Sequence, residues 1–167
     1  MNIRQFIKED LPAVHNMLVS NTWEFFTMPL LSKTDLISRD EHYFSSTTHE
    51  TLVLVDEDEN VKGLIRFFDI EDSETVSALF DVYIDKEFRG KGFGTQLVKE
   101  GVALIFGKYK NLRRIEATTR FDNVSMQKVL EANGFKKEAQ YRKAWKINSQ
   151  QFVDTFGYGI LREDVVK

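Results

Sequence analysis

The first half of the chain alternates between short apolar runs and polar segments. Apolar runs occupy residues 52–55, 63–68 and 78–84, and turns rich in Asp, Glu, Ser or Asn separate them. Runs of this length are typical of buried strands, and short polar turns between them are typical of hairpins. Residues 2–6 predict a further strand at the start of the chain. We therefore predict a meander of antiparallel strands in this half.

Two helices are predicted between the first strand and this meander. Asp10 is a typical N-cap residue, and Pro12 suits the first turn of a helix. The apolar stripe of this helix consists of Leu11, Val14 and Leu18. A second helical region is predicted between residues 34 and 43.

The second half of the chain mixes helical and strand periodicity. Apolar residues recur at helical spacing over residues 95–106, and a strand pattern follows at residues 115–119. A strand that is joined to the preceding one through a helix is expected to run parallel to it. Asn123 suits the cap of a further helix that Gly134 ends, and residues 139–147 and 152–161 predict a closing hairpin.

Composition favours a single domain that spans residues 1–167. The chain has 167 residues, 42% of them hydrophobic, and two prolines, so it can bury a core and offers no flexible linker. There is no apolar signal core, no cysteine, and no apolar stretch near the roughly 20 residues of a membrane span. We therefore expect a cytoplasmic protein with no membrane contact, disulfide or thiolate metal site.

Charge and histidine placement exclude two further classes of function. The net charge of −3 gives no basic surplus, which argues against a nucleic-acid partner. His15, His42 and His49 show no metal-ligand spacing with carboxylates, so no metal site is predicted.

The strongest chemical signal is the loop at residues 89–94, with the sequence RGKGFG, which follows a strand pattern and precedes a helical one. Glycines let the backbone adopt left-handed conformations and approach a ligand closely, while unpaired amides at the helix start point outward. The helix dipole and the charges of Arg89 and Lys91 favour an anion at the same place. This pattern predicts phosphate binding, with a plain tight turn as the structural alternative.

Glycine spacing separates the possible phosphate ligands. No Lys-Ser or Lys-Thr follows a glycine at the distance of a nucleotide-hydrolysing P-loop. A dinucleotide fingerprint reads G-x-G-x-x-G, whereas this loop reads G-x-G-x-G. Glu116 lies about twenty residues beyond the loop, where that fold places a ribose-binding acid, but within a strand pattern. Dinucleotide binding therefore remains the second hypothesis for this loop.

Two segments together resemble one known family. Residues 89–94 fit the R/Q-x-x-G-x-G/A signature of the GNAT superfamily of acetyl-CoA-dependent N-acetyltransferases. Residues 123–135 are similar to that superfamily's N-x-x-S to G-F region, with one residue fewer between Asn123 and Ser125. This spacing, and a last strand at residues 154–161, resemble the branch of RimJ/RimL-like ribosomal-protein and spermidine acetyltransferases. The resemblance begins at about Thr51.

The resemblance implies an α/β GNAT fold with acetyl-CoA as co-substrate. The expected sheet is mixed and largely antiparallel, with about seven strands, about four flanking helices and a splayed parallel strand pair that binds the cofactor. The residues that the resemblance assigns to cofactor binding are Val82, Tyr83, Ile84, Arg89, Gly90, Lys91, Gly92, Phe93, Gly94, Thr95, Asn123, Ser125 and Lys128. Val82 and Ile84 would contribute through their main chain, and the Val82 amide is a candidate donor to a developing oxyanion.

The implied chemistry is direct attack of a neutral amine on the thioester. Without cysteine the chain cannot form a cysteinyl-acyl intermediate, which favours a ternary complex. An amine with a pKa near 10.4 needs a base or a water path. The candidate bases are Asp81, Glu116 and Asp69, on strands expected to border the cleft.

A general acid for the departing thiolate is less evident. Many superfamily members carry a tyrosine four residues before the glycine of the Gly-Phe pair, and Leu130 stands at that position here. Ser125 is the best remaining candidate acid, and Tyr141 is a reserve.

The expected acceptor is a primary amine on a peptide or protein N-terminus, a polyamine or a small metabolite. Glu24, within an aromatic segment at residues 23–26, could pair with a cationic amine. The alternative from another class is a non-catalytic CoA or nucleotide sensor, and a dinucleotide oxidoreductase would instead bind NAD. The hydrophobic last hairpin either pairs with a second subunit, giving a homodimer, or finishes the sheet.

Overall fold

Seven strands form one sheet in the computed structural model, which describes residues 1–26, 34 and 38–165. The strands are β1 Asn2–Gln5, β2 Glu50–Val55, β3 Val61–Phe68, β4 Ser77–Ile84, β5 Arg114–Arg120, β6 Lys136–Lys146 and β7 Phe152–Leu161. Their order across the sheet is β1-β2-β3-β4-β5-β7-β6. All neighbours pair antiparallel except β4 and β5, which pair parallel, as predicted from the helix that joins them.

Five α-helices occur among the described residues, and two of them are single turns. They are α1 Leu11–Ser20, α2 Glu41–Phe44, α3 Phe93–Lys108, α4 Val124–Ala132 and α5 Arg162–Val165. Short 3-10 turns at Lys8–Asp10 and Lys86–Phe88 precede α1 and the glycine loop. In the part of the chain that is described, no helix is both long enough and apolar enough to cross a membrane.

The sheet separates two hydrophobic cores because alternate strand residues point to opposite faces. One face packs against α3 and α4, with Ile65, Phe67 and Phe80 in its core. The opposite face packs against α1, with Leu64 and Tyr83 in its core. We call these the helix-pair face and the α1 face.

Close packing of α3 on the sheet depends on a residue without a side chain. A Cβ atom on Gly101 would lie 2.6 Å from a ring carbon of Phe67. Larger residues at this position would therefore push α3 away from the sheet. This contact fixes the position of the helix that begins at the glycine loop.

Most predicted elements are confirmed with shifted ends. The helix predicted for residues 95–106 runs over Phe93–Lys108, because Gly92 is its N-cap. Asp10 precedes α1 as predicted, but its carboxylate accepts hydrogen bonds from Arg4 and the Ile7 amide rather than from α1. The helix predicted between residues 34 and 43 lies partly outside the described residues, and α2 begins at Glu41. Helix α5 was not predicted.

Candidate active site

The parallel strands β4 and β5 separate part-way along their length. Their paired register covers only Ser77 to Leu79 on β4 and Arg114 to Glu116 on β5 among the described residues. Beyond this point, β4 continues to pair with β3 and β5 continues to pair with β7. Because alternate residues of a paired strand direct their amides and carbonyls away from the partner, the open edges present unpaired backbone groups to the gap. The gap opens toward the glycine loop.

Two glycines of the loop adopt conformations that disfavour other residues. Gly90 has φ +72° and Gly92 has φ +85°, and an added Cβ would have open space at both positions. Glycine is therefore favoured at these two positions by the backbone conformation and not by a lack of space for a side chain. Gly92 is the N-cap of α3, and the amides of the first turn after it lack partners within the helix. Backbone amides and the positive end of the α3 dipole together suit an anion.

The Arg89 side chain links the glycine loop to β4 and to the segment after α1 through hydrogen bonds. Its guanidinium donates to the carbonyl of Ile84 at 2.9 Å and to that of Thr22 at 3.0 Å. The guanidinium carbon also lies 5.0 Å from the centre of the Trp23 ring. These bonds give Arg89 a structural role and hold its guanidinium against the segment that follows α1, so its contact with phosphate stays a prediction. They also engage the Ile84 carbonyl, one of the main-chain groups assigned to the cofactor by resemblance.

Asn21, directly after α1, forms a second set of hydrogen bonds to the segment that precedes the glycine loop. Its side chain donates to Asp85 at 3.0 Å and accepts from the Lys86 amide at 2.7 Å. Burial acts to raise the pKa of Asp85, but the bonds from Asn21 and from the Glu87 amide outweigh it and lower that pKa. The loop is therefore held to α1 by bonds to a carboxylate that stays ionised.

The second half of α4 lies beside the first turn of α3. Asn123 caps α4, as predicted, by accepting from the Met126 amide at 3.1 Å. Ser125 and Lys128 are exposed on this helix. Asn133 donates to the Thr95 carbonyl at 3.1 Å, which joins the end of α4 to the first turn of α3. Helix α4 therefore packs on the same face of the sheet as α3, and the binding roles of Asn123, Ser125 and Lys128 stay predictions.

Asp81 and Glu116 both lie on the α1 face, but in different surroundings. Asp81 lies two residues beyond Leu79, the last β4 residue that pairs with β5, and it accepts from Arg66 at 2.9 Å with its side chain 28% exposed. Glu116 lies within the paired segment and accepts from Arg114 at 2.6 Å. Arg114 also bonds Glu138, across Gly159 of β7. Asp81 is therefore the carboxylate at the gap, whereas Glu116 belongs to an ion-pair network across β5, β7 and β6.

Two other predicted acid–base candidates lie elsewhere. The prediction that Asp69 lies on a strand at the cleft is wrong: it has φ +55° in the turn after β3, at the opposite end of the β3–β4 hairpin from the glycine loop. Tyr141 is 50% exposed on β6, with its ring near Gly157. Within residues 1–26, 34 and 38–165, no three His, Asp or Glu side chains are placed to hold a metal ion.

Aromatic side chains close the α1 face around Tyr83. The Phe26 ring stacks on Tyr83 at 4.7 Å between centres, and the Trp23 ring meets it edge-on at 5.1 Å. Burial raises the pKa of Tyr83, so its hydroxyl stays protonated at neutral pH. Tyr83 thus faces away from Val82 and Ile84, which pack on the helix-pair face as predicted.

Sequence reasoning missed the arginines of the α1 face. Arg66 is 7% exposed and lies in the middle of β3, and Arg120 is 8% exposed at the end of β5. Arg120 donates to the Glu24 carbonyl at 3.0 Å and pairs with Asp122, whose pKa it lowers. An arginine inside an otherwise apolar run, as in residues 63–68, was the available signal, because a buried charge requires a partner.

A sheet whose parallel strands part beside a glycine-rich helix start is suited to a transferase that takes its acyl group from a CoA thioester. A sequence model described as the acetyltransferase (GNAT) family matches residues 15–135. The chain belongs to the GNAT family of acetyltransferases, enzymes whose co-substrate is acetyl-CoA.

One curated relative and several solved structures agree with this assignment. The chain is 36% identical over 91 residues to the probable N-acetyltransferase YjcK of Bacillus subtilis, a match that covers 54% of this chain and 50% of that protein. The chain thus spans about half the length of this curated relative.

The spermidine N-acetyltransferase of Vibrio cholerae in complex with CoA and spermine matches 99% of this chain and 98% of its own, with TM-score 0.83 and 23% identity. A GNAT-family acetyltransferase of Streptococcus pneumoniae matches 96% of this chain and 98% of its own, with TM-score 0.78 and 20% identity. These structural likenesses support the fold.

Proposed function

We propose that this enzyme transfers the acetyl group of acetyl-CoA to a primary amine by direct attack within a ternary complex. The observation that carries the proposal is the gap between β4 and β5, which has the glycine loop at one end and Asp81 at its edge. A thioester held in this gap is accessible from the α1 face. The acceptor amine would therefore approach from that face, while CoA occupies the helix-pair face.

Different parts of the chain would bind the pyrophosphate and the pantetheine arm of acetyl-CoA. The amides of Gly92, Phe93 and Gly94 would bind the pyrophosphate at the start of α3, with Lys91 adding charge. The β4 main chain at Val82 and Ile84 would bind the pantetheine arm as an added strand would, with the Ile84 carbonyl already accepting from Arg89. The Asn123 amide would bind one of the carbonyl or amide groups of that arm. The contacts at the gap fix the thioester through the main chain, so side-chain substitutions there have limited effect on cofactor affinity.

Asp81 is our proposed general base. Its carboxylate is half-buried at the point where the strands separate, whereas Glu116 is 41% exposed and held by Arg114. An ammonium group loses its proton to Asp81, directly or through water, and the neutral amine attacks the carbonyl carbon. The Val82 amide, next along β4, would stabilise the negative charge that develops on the carbonyl oxygen.

Ser125 is our proposed general acid. It is exposed on the first turn of α4, on the same side of the sheet as the glycine loop. Its hydroxyl would donate a proton to the departing thiolate and regain one from the attacking nitrogen, directly or through water, so that Ser125 is neutral again when the amide has formed. Tyr141 stays the reserve. No covalent acyl-enzyme is needed, since the amine attacks the thioester itself.

We also propose a homodimer formed through the β6–β7 hairpin. Strand β6 is an edge strand, and Tyr141, Ile147 and Phe152 are 50%, 37% and 47% exposed on this hairpin. One neighbour in Vibrio cholerae is described as a dodecameric spermidine N-acetyltransferase. Light scattering at several protein concentrations tests this assembly, and a monomer at all of them would contradict it.

The direct test of the activity is thiol release from acetyl-CoA in the presence of single amines. We expect release that depends on the amine and equals the amount of acetylated product measured by mass spectrometry. Ser125→Ala should reduce turnover while acetyl-CoA still binds. Acetyl-CoA binding without turnover on any amine, including peptide N-termini, spermidine and amino acids, would overturn the enzyme proposal and favour a CoA sensor.

A further inference from the structure

Five side chains on the α1 face form what we call the arginine–tyrosine cluster: Arg39, Tyr43, Arg66, Asp81 and Tyr83. The guanidinium carbon of Arg66 lies 3.8 Å from the centre of the Tyr43 ring, and that of Arg39 lies 4.3 Å from the same centre. One ring thus holds two cations close together. Arg66 is also the cross-strand neighbour of Asp81, which places the cluster beside the proposed base.

The cluster contains two buried donors without acceptors. Among the described residues, the buried side-chain nitrogens that lack a hydrogen-bond partner are Arg39 Nη1, Arg66 Nε and Trp145 Nε1. Two of these three belong to the cluster, on side chains that share the Tyr43 ring. An unpaired buried N–H destabilises the folded protein, so a pair of them at one place calls for an acceptor that completes the site.

The charges of the cluster do not balance. Arg66 pairs with Asp81 at 2.9 Å. No carboxylate of residues 1–26, 34 or 38–165 lies within 4.0 Å of the Arg39 guanidinium, which therefore has no ion-pair partner in that part of the chain. The nearby His49 adds no negative charge. Two guanidinium groups and one carboxylate leave one positive charge beside the gap, in partly buried surroundings.

We infer that the cluster binds a carboxylate of the acceptor, so that the substrate is a primary amine that also carries a carboxylate, such as an amino acid or a short peptide. This inference rests on the proposed function, whose acceptor it narrows. A carboxylate has several lone pairs for the unpaired N–H groups of Arg39 and Arg66, and guanidinium groups match its planar geometry. Asp81 would then receive the proton from the amino end of the same molecule.

Charge also argues against a polyamine at this position. A polyamine carries several positive charges and no acceptor for a guanidinium N–H, so two arginines would repel it. The spermidine N-acetyltransferase of Vibrio cholerae, which shares the fold, is known in complex with CoA and the polycation spermine. Their 23% identity to this chain leaves the acceptor side free to differ.

The first experiment compares matched acceptors on the unmodified protein. Alanylalanine and alanylalanine amide, glycine and glycinamide, and spermidine are titrated into the protein saturated with CoA, and binding is followed by calorimetry. We expect each acid to bind at least about tenfold more tightly than its amide, as for a charged hydrogen-bond pair, and spermidine to bind more weakly than either acid. Equal affinity for acids and amides, or preference for spermidine, would overturn the inference.

A second experiment assigns the preference to the cluster. In Arg39→Gln the acid-to-amide ratio of affinities should fall toward one. The matched control Arg113→Gln, which replaces an exposed arginine directly before β5, should keep that ratio. An unchanged ratio in Arg39→Gln would contradict the inference. Because Arg66→Gln would leave Asp81 unpaired and disturb folding, Arg39 is the residue to replace.

The binding and turnover results separate the two claims. If the protein bound acids selectively but acetylated no amine, the proposed function would be wrong and the carboxylate site would be supported. If thiol release showed turnover on amines with no preference for acids, the proposed function would be supported and the carboxylate site would be wrong.

Discussion

The two faces of the central sheet form their sites from different atoms. On the helix-pair face, the proposed cofactor site consists of main-chain groups: the left-handed Gly90 and Gly92, the first amides of α3 and the open edge of β4. On the α1 face, the proposed acceptor site consists of side chains, with Arg66, Asp81 and Tyr83 projecting from neighbouring strands. A common cofactor can be bound by backbone, whereas the choice of acceptor requires side chains.

This difference also decides what each substitution should do. Changes on the helix-pair face should alter acetyl-CoA affinity where they alter the backbone conformation of the glycine loop, or where they remove the Lys91 charge or the Asn123 amide. Changes on the α1 face should alter turnover and acceptor choice and leave acetyl-CoA affinity in place.

The largest effect is expected at Asp81. Asp81→Asn should lower kcat by about a thousandfold through loss of the base. It should also lower the free energy of unfolding by about 1–3 kcal/mol, because the buried Arg66 loses its partner. The measurements are steady-state thiol release and urea unfolding. Glu116→Gln is the matched control, and a larger loss of kcat in that variant would transfer the base role to Glu116.

A smaller effect on turnover is expected at Ser125. Ser125→Ala removes the proposed acid and should lower kcat by about a hundredfold, while the Kd for acetyl-CoA stays unchanged because the hydroxyl is not needed for the phosphate contacts. Pre-steady-state thiol release and calorimetry measure the two quantities. If Tyr141→Phe lost more activity than Ser125→Ala, the acid would be Tyr141.

Substitution of Gly92 should weaken cofactor binding through backbone conformation. A Cβ at φ +85° costs about 1–2 kcal/mol, which corresponds to roughly tenfold weaker acetyl-CoA binding if the loop shifts to relieve it. Gly107→Ala is the matched control, since Gly107 lies in α3 with open space around its missing Cβ. That variant should bind acetyl-CoA normally and gain up to about 1 kcal/mol of stability.

The smallest effect concerns an ion pair outside both sites. Burial acts to raise the pKa of Asp10, but hydrogen bonds from Arg4 and the Ile7 amide outweigh it and lower that pKa. A lowered carboxyl pKa stabilises the folded state above the ordinary value of about 3.9, and this stabilisation is lost as the pH falls through the folded-state pKa.

Asp10→Asn should therefore be about 1 kcal/mol less stable than the unmodified protein at pH 7, with the difference shrinking below about pH 4. Thermal unfolding across pH 2–7 measures it. Turnover and acetyl-CoA affinity of Asp10→Asn should equal those of the unmodified protein. A loss of either would show that the residues at the start of α1 contribute to the active site.

The sequence predicted the backbone-built region well because its requirements are local. Three glycines with a following helical stripe identify the start of α3, although the helix begins at Phe93 rather than Thr95. Asn123 could be assigned as a cap because an N-cap needs only its own helix. The parallel pairing of β4 and β5 could be predicted from the helix that joins them.

The side-chain-built region could not be predicted because its members are distant in sequence. Arg39, Tyr43 and Arg66 meet only once α2 packs over the sheet, and no local pattern links them. The error at Asp69 has the same origin: strand residues can be assigned to a hairpin from sequence, but which end of the hairpin lies at the gap depends on the register of β5.

The most direct test of this account is calorimetric titration of acetyl-CoA into three proteins: unmodified, Gly92→Ala and Asp81→Asn. The account predicts that Gly92→Ala binds acetyl-CoA about tenfold more weakly while Asp81→Asn, though nearly inactive, binds it as tightly as the unmodified protein. Loss of affinity in Asp81→Asn with normal affinity in Gly92→Ala would contradict the assignment of cofactor and acceptor to opposite faces of the sheet.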